Sequence, residues 1–189
     1  MTHLTRKAFG AVLGLLFVSG TAIAGEWSAP AEVRHLDEVC VTYRAKLAGN
    51  TLLVEATHGE GWHTFAMDNE IRAKDKLAGK MSLGIDQPTE IALEQGLALA
   101  GPWRQTPPAN LSKPELRWYS WGYEEPALFV ARVTPLSQSP APALIGVRGQ
   151  ACSATVCKNI DITLAVPPAG TAAQAIVDVG QLEQVRSGE

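Results

Sequence analysis

Ile160-Asp161-Ile162-Thr163-Leu164-Ala165-Val166 sets an apolar side chain at every second position, with Asp161, Thr163 and Ala165 between them. Period two is the signature of a strand with one face buried. The same rhythm runs through Val39, Val41, Tyr43, Ala45 and Leu47, opposed by Cys40, Thr42, Arg44 and Lys46. Gly49-Asn50 then supplies a turn, and Leu52, Val54 and Ala56 resume the inward face, which predicts a hairpin. Further strands are expected over 62–67, 81–85, 90–93, 117–121, 127–133 and 144–150.

One stretch departs from this pattern. Asp68 or Asn69 is placed to cap a short helix over 70–78, with Gly79 as its stop. Residues 101–114, with Pro102, Pro107, Pro108 and Pro114, read as a surface loop, and 135–142 as a second connection. Many short strands separated by turn signals, with no alternation of strand and helix, predict an all-β fold, an immunoglobulin-like antiparallel β-sandwich.

The amino terminus reads as an export signal. Arg6 and Lys7 form its basic region, 9–18 its apolar region, and Ala22-Ile23-Ala24 the small-residue cleavage site. The expected organisation is therefore a signal peptide over 1–24, one domain over 25–167 and a tail over 168–189, with the mature chain exported to the periplasm. Cleavage leaves 165 residues, enough to bury roughly 70% of the unfolded surface without a disulfide staple. No other segment has the apolar length of a membrane span. With 14 basic against 19 acidic residues after cleavage, the surface is mildly acidic, which argues against a nucleic-acid partner.

Cys40, Cys152 and Cys157 all lie beyond the cleavage site, in a chain bound for an oxidising compartment. Cys152 and Cys157 are the natural couple, being close in sequence and set in one expected loop, and Cys40 is left over. A disulfide between them closes a loop of six residues, worth roughly 2 kcal/mol in the chain-entropy model. That is modest support for a domain of this size. Taken alone, the pair fits a redox couple and a loop staple equally well.

Several landmarks occur in order along 52–166: Gly61-Trp62-His63-Thr64-Phe65, Gln87-Pro88-Thr89-Glu90-Ile91, Gly122-Tyr123-Glu124-Glu125 and Gly149-Gln150-Ala151-Cys152. In these the chain resembles the N-terminal periplasmic domain of DsbD, the membrane thiol:disulfide interchange reductase. The resemblance implies that Cys152 and Cys157 are the catalytic residues, cycling between dithiol and disulfide. Electrons would pass from a membrane thiol:disulfide reductase to thioredoxin-like exported proteins, as in a protein-disulfide reductase. It further implies that Trp118 and Tyr119, in Trp118-Tyr119-Ser120, form an aromatic cap over the pair, and it calls for no cofactor. In line with the family, Cys157 is the partner-engaging cysteine and Cys152 the resolving one, and the charge of Lys158 beside Cys157 would favour its thiolate. The chain departs from the family in having four residues between the cysteines rather than five, Lys158-Asn159-Ile160 in place of the usual prolines, and Leu116 and Arg117 where the cap carries an acidic pair. The chain also stops where the family's membrane domain would begin, so the electron donor is expected on a separate polypeptide.

The rival expectation is a non-catalytic binding module with a structural disulfide, its function residing in the proline loop or the aromatic surface around Trp103 and Trp118. Trp121 and Tyr123 are better read as core aromatics. His58 and His63, with Cys40, form only a weak soft-metal pattern, and no metal site is assigned. Cys40 points outward if its strand is regular; covering by a neighbouring segment would make it an inert buried thiol, the commoner situation for a free cysteine. Neither a serine-nucleophile motif nor a phosphate-binding glycine loop is present.

Overall fold

The computed structural model describes residues 26–80, 82–83, 86–136, 141–169 and 179–188. The expected signal peptide over 1–24 therefore lies outside the described residues, as do three of the five positions of the strand expected over 81–85.

In chain order the elements are β1 (Ala31–His35), β2 (Glu38–Ala48), β3 (Thr51–His58), β4 (His63–Phe65), α1 (Asn69–Lys76), β5 (Glu90–Gln95), β6 (Leu97–Leu99), β7 (Arg104–Gln105), β8 (Ala109–Asn110), β9 (Trp121–Tyr123), β10 (Ala127–Pro135), β11 (Ala143–Cys152), β12 (Cys157–Val166) and β13 (Glu183–Gln184). They form two antiparallel sheets. One runs β1-β2-β3-β10-β7-β13, with β6 also on β10; the other runs β12-β11-β4-β9-β8, with β5 also on β11. Tyr43, Leu52, Val54 and Phe129 from the first sheet meet Ile145, Val147, Leu164 and Val166 from the second in one apolar core, each fully buried. This is the expected all-β, immunoglobulin-like sandwich, and the alternating residues that predicted it supply its inner faces.

The expected β2–β3 hairpin forms, with Ala48 opposite Thr51 and Gly49 taking a positive φ of 57° in the turn. Cys40 does not follow the simple alternation. Val33 pairs with Val41 and Arg34 with Val39, so Cys40 is the extra residue of a β-bulge between β1 and β2. The bulge resets the parity of the strand and places Cys40 beside Val41, both fully buried in the core.

One further difference has a local cause. The strand expected over 117–121 begins only at Trp121. Pro114 starts a 3-10 turn over Pro114–Leu116, and Arg117 follows in the left-handed region at φ 53°, a conformation no strand accommodates. Within the tail expected over 168–189, 183–184 form a strand on β7, after a 3-10 turn over Val179–Gln181. The Val185 N–H donates to the Trp103 carbonyl at 2.9 Å, extending that attachment.

Glycines explain two of the sequence landmarks. A Cβ on Gly122 would stand 2.1 Å from the Thr64 carbonyl oxygen, so only glycine lets β9 lie against β4. Gly149 has φ 141°, and a Cβ there would meet the Pro88 carbonyl at 2.8 Å, so it admits the 86–89 segment alongside β11.

Candidate active site at the β11–β12 hairpin

β11 and β12 pair in register from Ala143 opposite Val166 to Cys152 opposite Cys157. The cysteines were expected in a loop; the strands instead run through to them, and the connection shrinks to 153–156. Ser153 builds that turn. Its N–H donates to the Val156 carbonyl at 2.8 Å, and its Oγ accepts from the N–H groups of Thr155 and Val156, each at 3.3 Å. Cys152 and Cys157 are joined as a disulfide with their Cα atoms 4.0 Å apart. The two sulfurs differ in access: Cys152 is only 3% exposed, whereas Cys157 is exposed.

Strand alternation fixes which face they occupy. Ala151 and its register partner on β4, Thr64, are fully buried, and Ala151 belongs to the core. Cys152, one residue on, therefore projects from the outer face of the sheet, as does Cys157 opposite it. Lys158 pairs with Ala151 and so belongs to the inner face. Its charge bears on the buried Cys40.

On the other side of Cys152, β4 places His63 directly opposite it. His63 is half-buried, and its ring meets Phe65 edge-on at 5.3 Å. Burial lowers the His63 pKa, reinforced by Lys113 and opposed by Glu124. Two residues back along β11 on the same face, Gln150 accepts from the Gln87 N–H at 3.3 Å and donates to Asn159 at 3.4 Å. Asp86, next to Gln87, accepts a 2.5 Å hydrogen bond from the Trp118 indole. Its own carboxyl is pushed up by burial, against hydrogen bonds from Trp118 and Ser120 and the charge of Lys113.

Trp118 thus connects through Asp86 and Gln87 to the outer face of β11 that carries Cys152. Lys113 lies 5.3 Å over its ring, and the segment between β8 and β9 is closed by the mutual backbone bonds of Lys113 and Trp118. Tyr119 is half-buried, and its N–H donates to Ser82 Oγ at 3.0 Å.

The other expected residues lie apart from this arrangement. Both ring nitrogens of His58 are engaged, with the Glu125 carbonyl at 3.0 Å and Thr64 Oγ1 at 2.8 Å, and burial pushes its pKa down to about 4. Cys40 faces the core, so His58, His63 and Cys40 do not converge. Among the described residues no group of three or more metal-ligating side chains does. Tyr123 is buried and meets Phe129 edge-on at 5.6 Å, while Trp121 and Trp103 are half-buried against the core.

Burial raises the Cys40 thiol pKa, against the charge of Lys158. The folded, oxidised protein should accordingly show no thiol reactive toward 5,5′-dithiobis(2-nitrobenzoate), and one after unfolding in guanidinium. A reactive thiol in the folded state would mean that Cys40 is accessible or that the disulfide is open.

The sequence reading left two site residues unassigned, His63 as a neighbour of Cys152 and Asp86 as the anchor of Trp118. His63 was visible as part of a landmark, but its closeness to Cys152 is created by strand pairing across 89 positions of chain. Asp86 carries no local signal.

Fold and site together define an immunoglobulin-like β-sandwich bearing a half-exposed cysteine pair on the outer face of one sheet, beside a histidine. No protein-family model matches the chain, and no curated protein does. Among solved structures, the chain is similar to the crystal structure of the Neisseria meningitidis DsbD N-terminal domain in its reduced form, at 10% identity over 78% of this chain and 91% of that one, with a TM-score of 0.40. At that level the likeness bears on neither activity nor partner, which rest on the site itself. Among the described residues no helix is long and apolar enough to cross a membrane.

Proposed function

We propose that this protein carries out thiol:disulfide exchange in the periplasm, using Cys152 and Cys157 to carry electrons from a membrane thiol:disulfide reductase to thioredoxin-like exported proteins. The observation that carries the reading is the unequal access of the two sulfurs on the outer face of the sheet. Exchange needs one sulfur that a partner can reach and a second, sheltered one that resolves the mixed disulfide. Cys157 fits the first role and Cys152 the second. The landmarks that carry the sequence resemblance also gather here: Gly149-Gln150-Ala151-Cys152 ends β11, and His63-Thr64-Phe65 forms the strand beside it.

In this mechanism the Cys157 thiolate attacks a partner disulfide and expels one partner thiolate. Cys152 then attacks Cys157 Sγ, re-forming the internal disulfide and releasing the second partner thiolate. Two electrons leave the dithiol and the partner gains them. Trp118 and Tyr119 act as a cap beside the pair, on the segment that Asp86 anchors, which a docking partner displaces while Cys157 itself stays open to solvent.

The test is the reduction potential of the pair, measured by equilibration in glutathione or dithiothreitol buffers followed by thiol trapping. A value between roughly −180 and −270 mV is expected, the span of exchange proteins. A value below about −300 mV would make the pair a structural staple and favour the binding-module reading.

A further inference from the structure

Cys152 is almost wholly excluded from solvent, yet the resolving step requires it to lose a proton. Burial disfavours the thiolate, so a sheltered thiol with no base at hand is a poor nucleophile. Its two cross-strand neighbours are Cys157 on β12 and His63 on β4. Directly opposed residues of antiparallel strands project to the same face with Cβ atoms about 4.5–5.5 Å apart, within reach of an imidazole. His63 is also half-exposed, so the residue opposite the sheltered cysteine has access to water. Unlike His58, whose two nitrogens are both taken, the His63 ring makes no hydrogen bond among the described residues.

We infer that His63 is the general base of the resolving step, taking the proton from Cys152 Sγ and passing it to solvent or to the departing partner thiolate. The inference rests on the exchange function proposed above. In the mixed disulfide, Cys152 holds an S–H and Cys157 is bonded to the partner sulfur. Transfer of the proton to His63 leaves the Cys152 thiolate. That thiolate forms the Cys152–Cys157 bond as the Cys157–partner bond breaks, the electron pair leaves on the partner sulfur, and the imidazolium gives up its proton. No further oxidant or reductant is involved.

The surroundings suit this role. The charged and titratable groups acting on His63 are Lys113 and Glu124, of opposite sign, and His58 on β3, itself held neutral at pH 7. His63 is therefore neutral and able to accept a proton at the pH where exchange would operate.

The test mixes dithiothreitol-reduced protein, freed of excess reductant, with 5,5′-dithiobis(2-nitrobenzoate) in a stopped-flow instrument. Attack by Cys157 releases the first thionitrobenzoate, and ring closure by Cys152 releases the second. His63→Gln should slow the second phase by about 100-fold, within the span typical of general-base catalysis, and leave the first unchanged. The wild-type second phase should lose rate on acidification with a break below pH 6.5, the ordinary histidine value, and His63→Gln should lack that break. This profile of the unaltered protein tests the inference even if the variant fails to fold. An unchanged second phase in His63→Gln, or a wild-type profile without the break, would overturn the role of His63 while leaving the exchange function standing. A wild-type protein that shows no second phase would overturn both.

Discussion

Cys152→Ser should turn the protein into a covalent trap, and Cys157→Ser should make it inert. With Cys157 intact and exposed, attack on an oxidised thioredoxin-like acceptor proceeds, but no second sulfur resolves the product, so a mixed disulfide accumulates. With Cys157 removed, the remaining thiols, Cys152 at 3% exposed and the fully buried Cys40, meet no partner. Turnover falls to the uncatalysed background in both variants, and only the first shows a new band on a non-reducing gel. Stability does not explain the contrast, because both variants lose the same six-residue loop. That loss is worth about 2 kcal/mol, or roughly 4–8 °C in Tm for a chain of this length. A trap formed by Cys157→Ser instead would reverse the assigned roles, and no trap in either would point to a staple.

What the sequence disclosed follows from which interactions are local. Alternation at 39–47 and 160–166 is a property of neighbouring residues, and the strands lie where it predicts. The cysteine pair was legible because both partners sit in one hairpin. Features made by contact across the chain were not legible. His63 meets Cys152 only because β4 pairs with β11, and Trp118 meets Asp86 across two segments with no common pattern. The Cys40 bulge was hidden for a different reason: one extra residue flips side-chain parity, and nothing in Val39-Cys40-Val41 marks it. Strands of two or three residues, such as β7 and β8 inside the proline loop, are too short to show a period at all.

Asp68 shows the same limit and carries the largest expected effect on stability. It was read as a helix cap and does occupy that position before α1, but its carboxylate makes no capping bond. It accepts instead from Arg72 Nε at 2.7 Å and Nη2 at 3.0 Å, from the Gln105 amide at 2.7 Å, and from the Arg186 N–H at 3.1 Å. Arg72 also donates to Glu183. One carboxylate thereby ties the helix to β7 and to the tail strand β13. The Asp68 side chain is 0% exposed and that of Arg72 9%, so Asp68→Ala leaves a sheltered guanidinium with only the partly exposed Glu183 carboxylate. Breaking a buried pair from one side costs about 3–5 kcal/mol, which should be read as a lower urea midpoint at pH 7. Asp75→Ala is the control. Its pair with Arg186 is exposed at both ends, 62% and 50%, and its loss should cost at most about 1 kcal/mol. A similar effect of the two substitutions would contradict the buried network.

The acid limb of stability tests the same network with the sequence unchanged. Burial alone would raise the Asp68 pKa, but hydrogen bonds from Arg72, Arg186 and Gln105 outweigh it and hold the carboxyl below its ordinary value of 3.8. Its contribution is therefore complete above that value and is lost as pH falls toward the folded-state pKa. His58, pushed down from 6.5 to about 4, loses its contribution earlier, between those two values, because the unfolded chain takes up the proton first. Stability should consequently decline in two stages on acidification. His58→Gln should shrink the stage between pH 6.5 and 4, to which His63 also contributes, and Asp68→Ala should flatten only the stage below. Urea midpoints measured across that range separate the two, and a single stage unaffected by either substitution would refute the assignment.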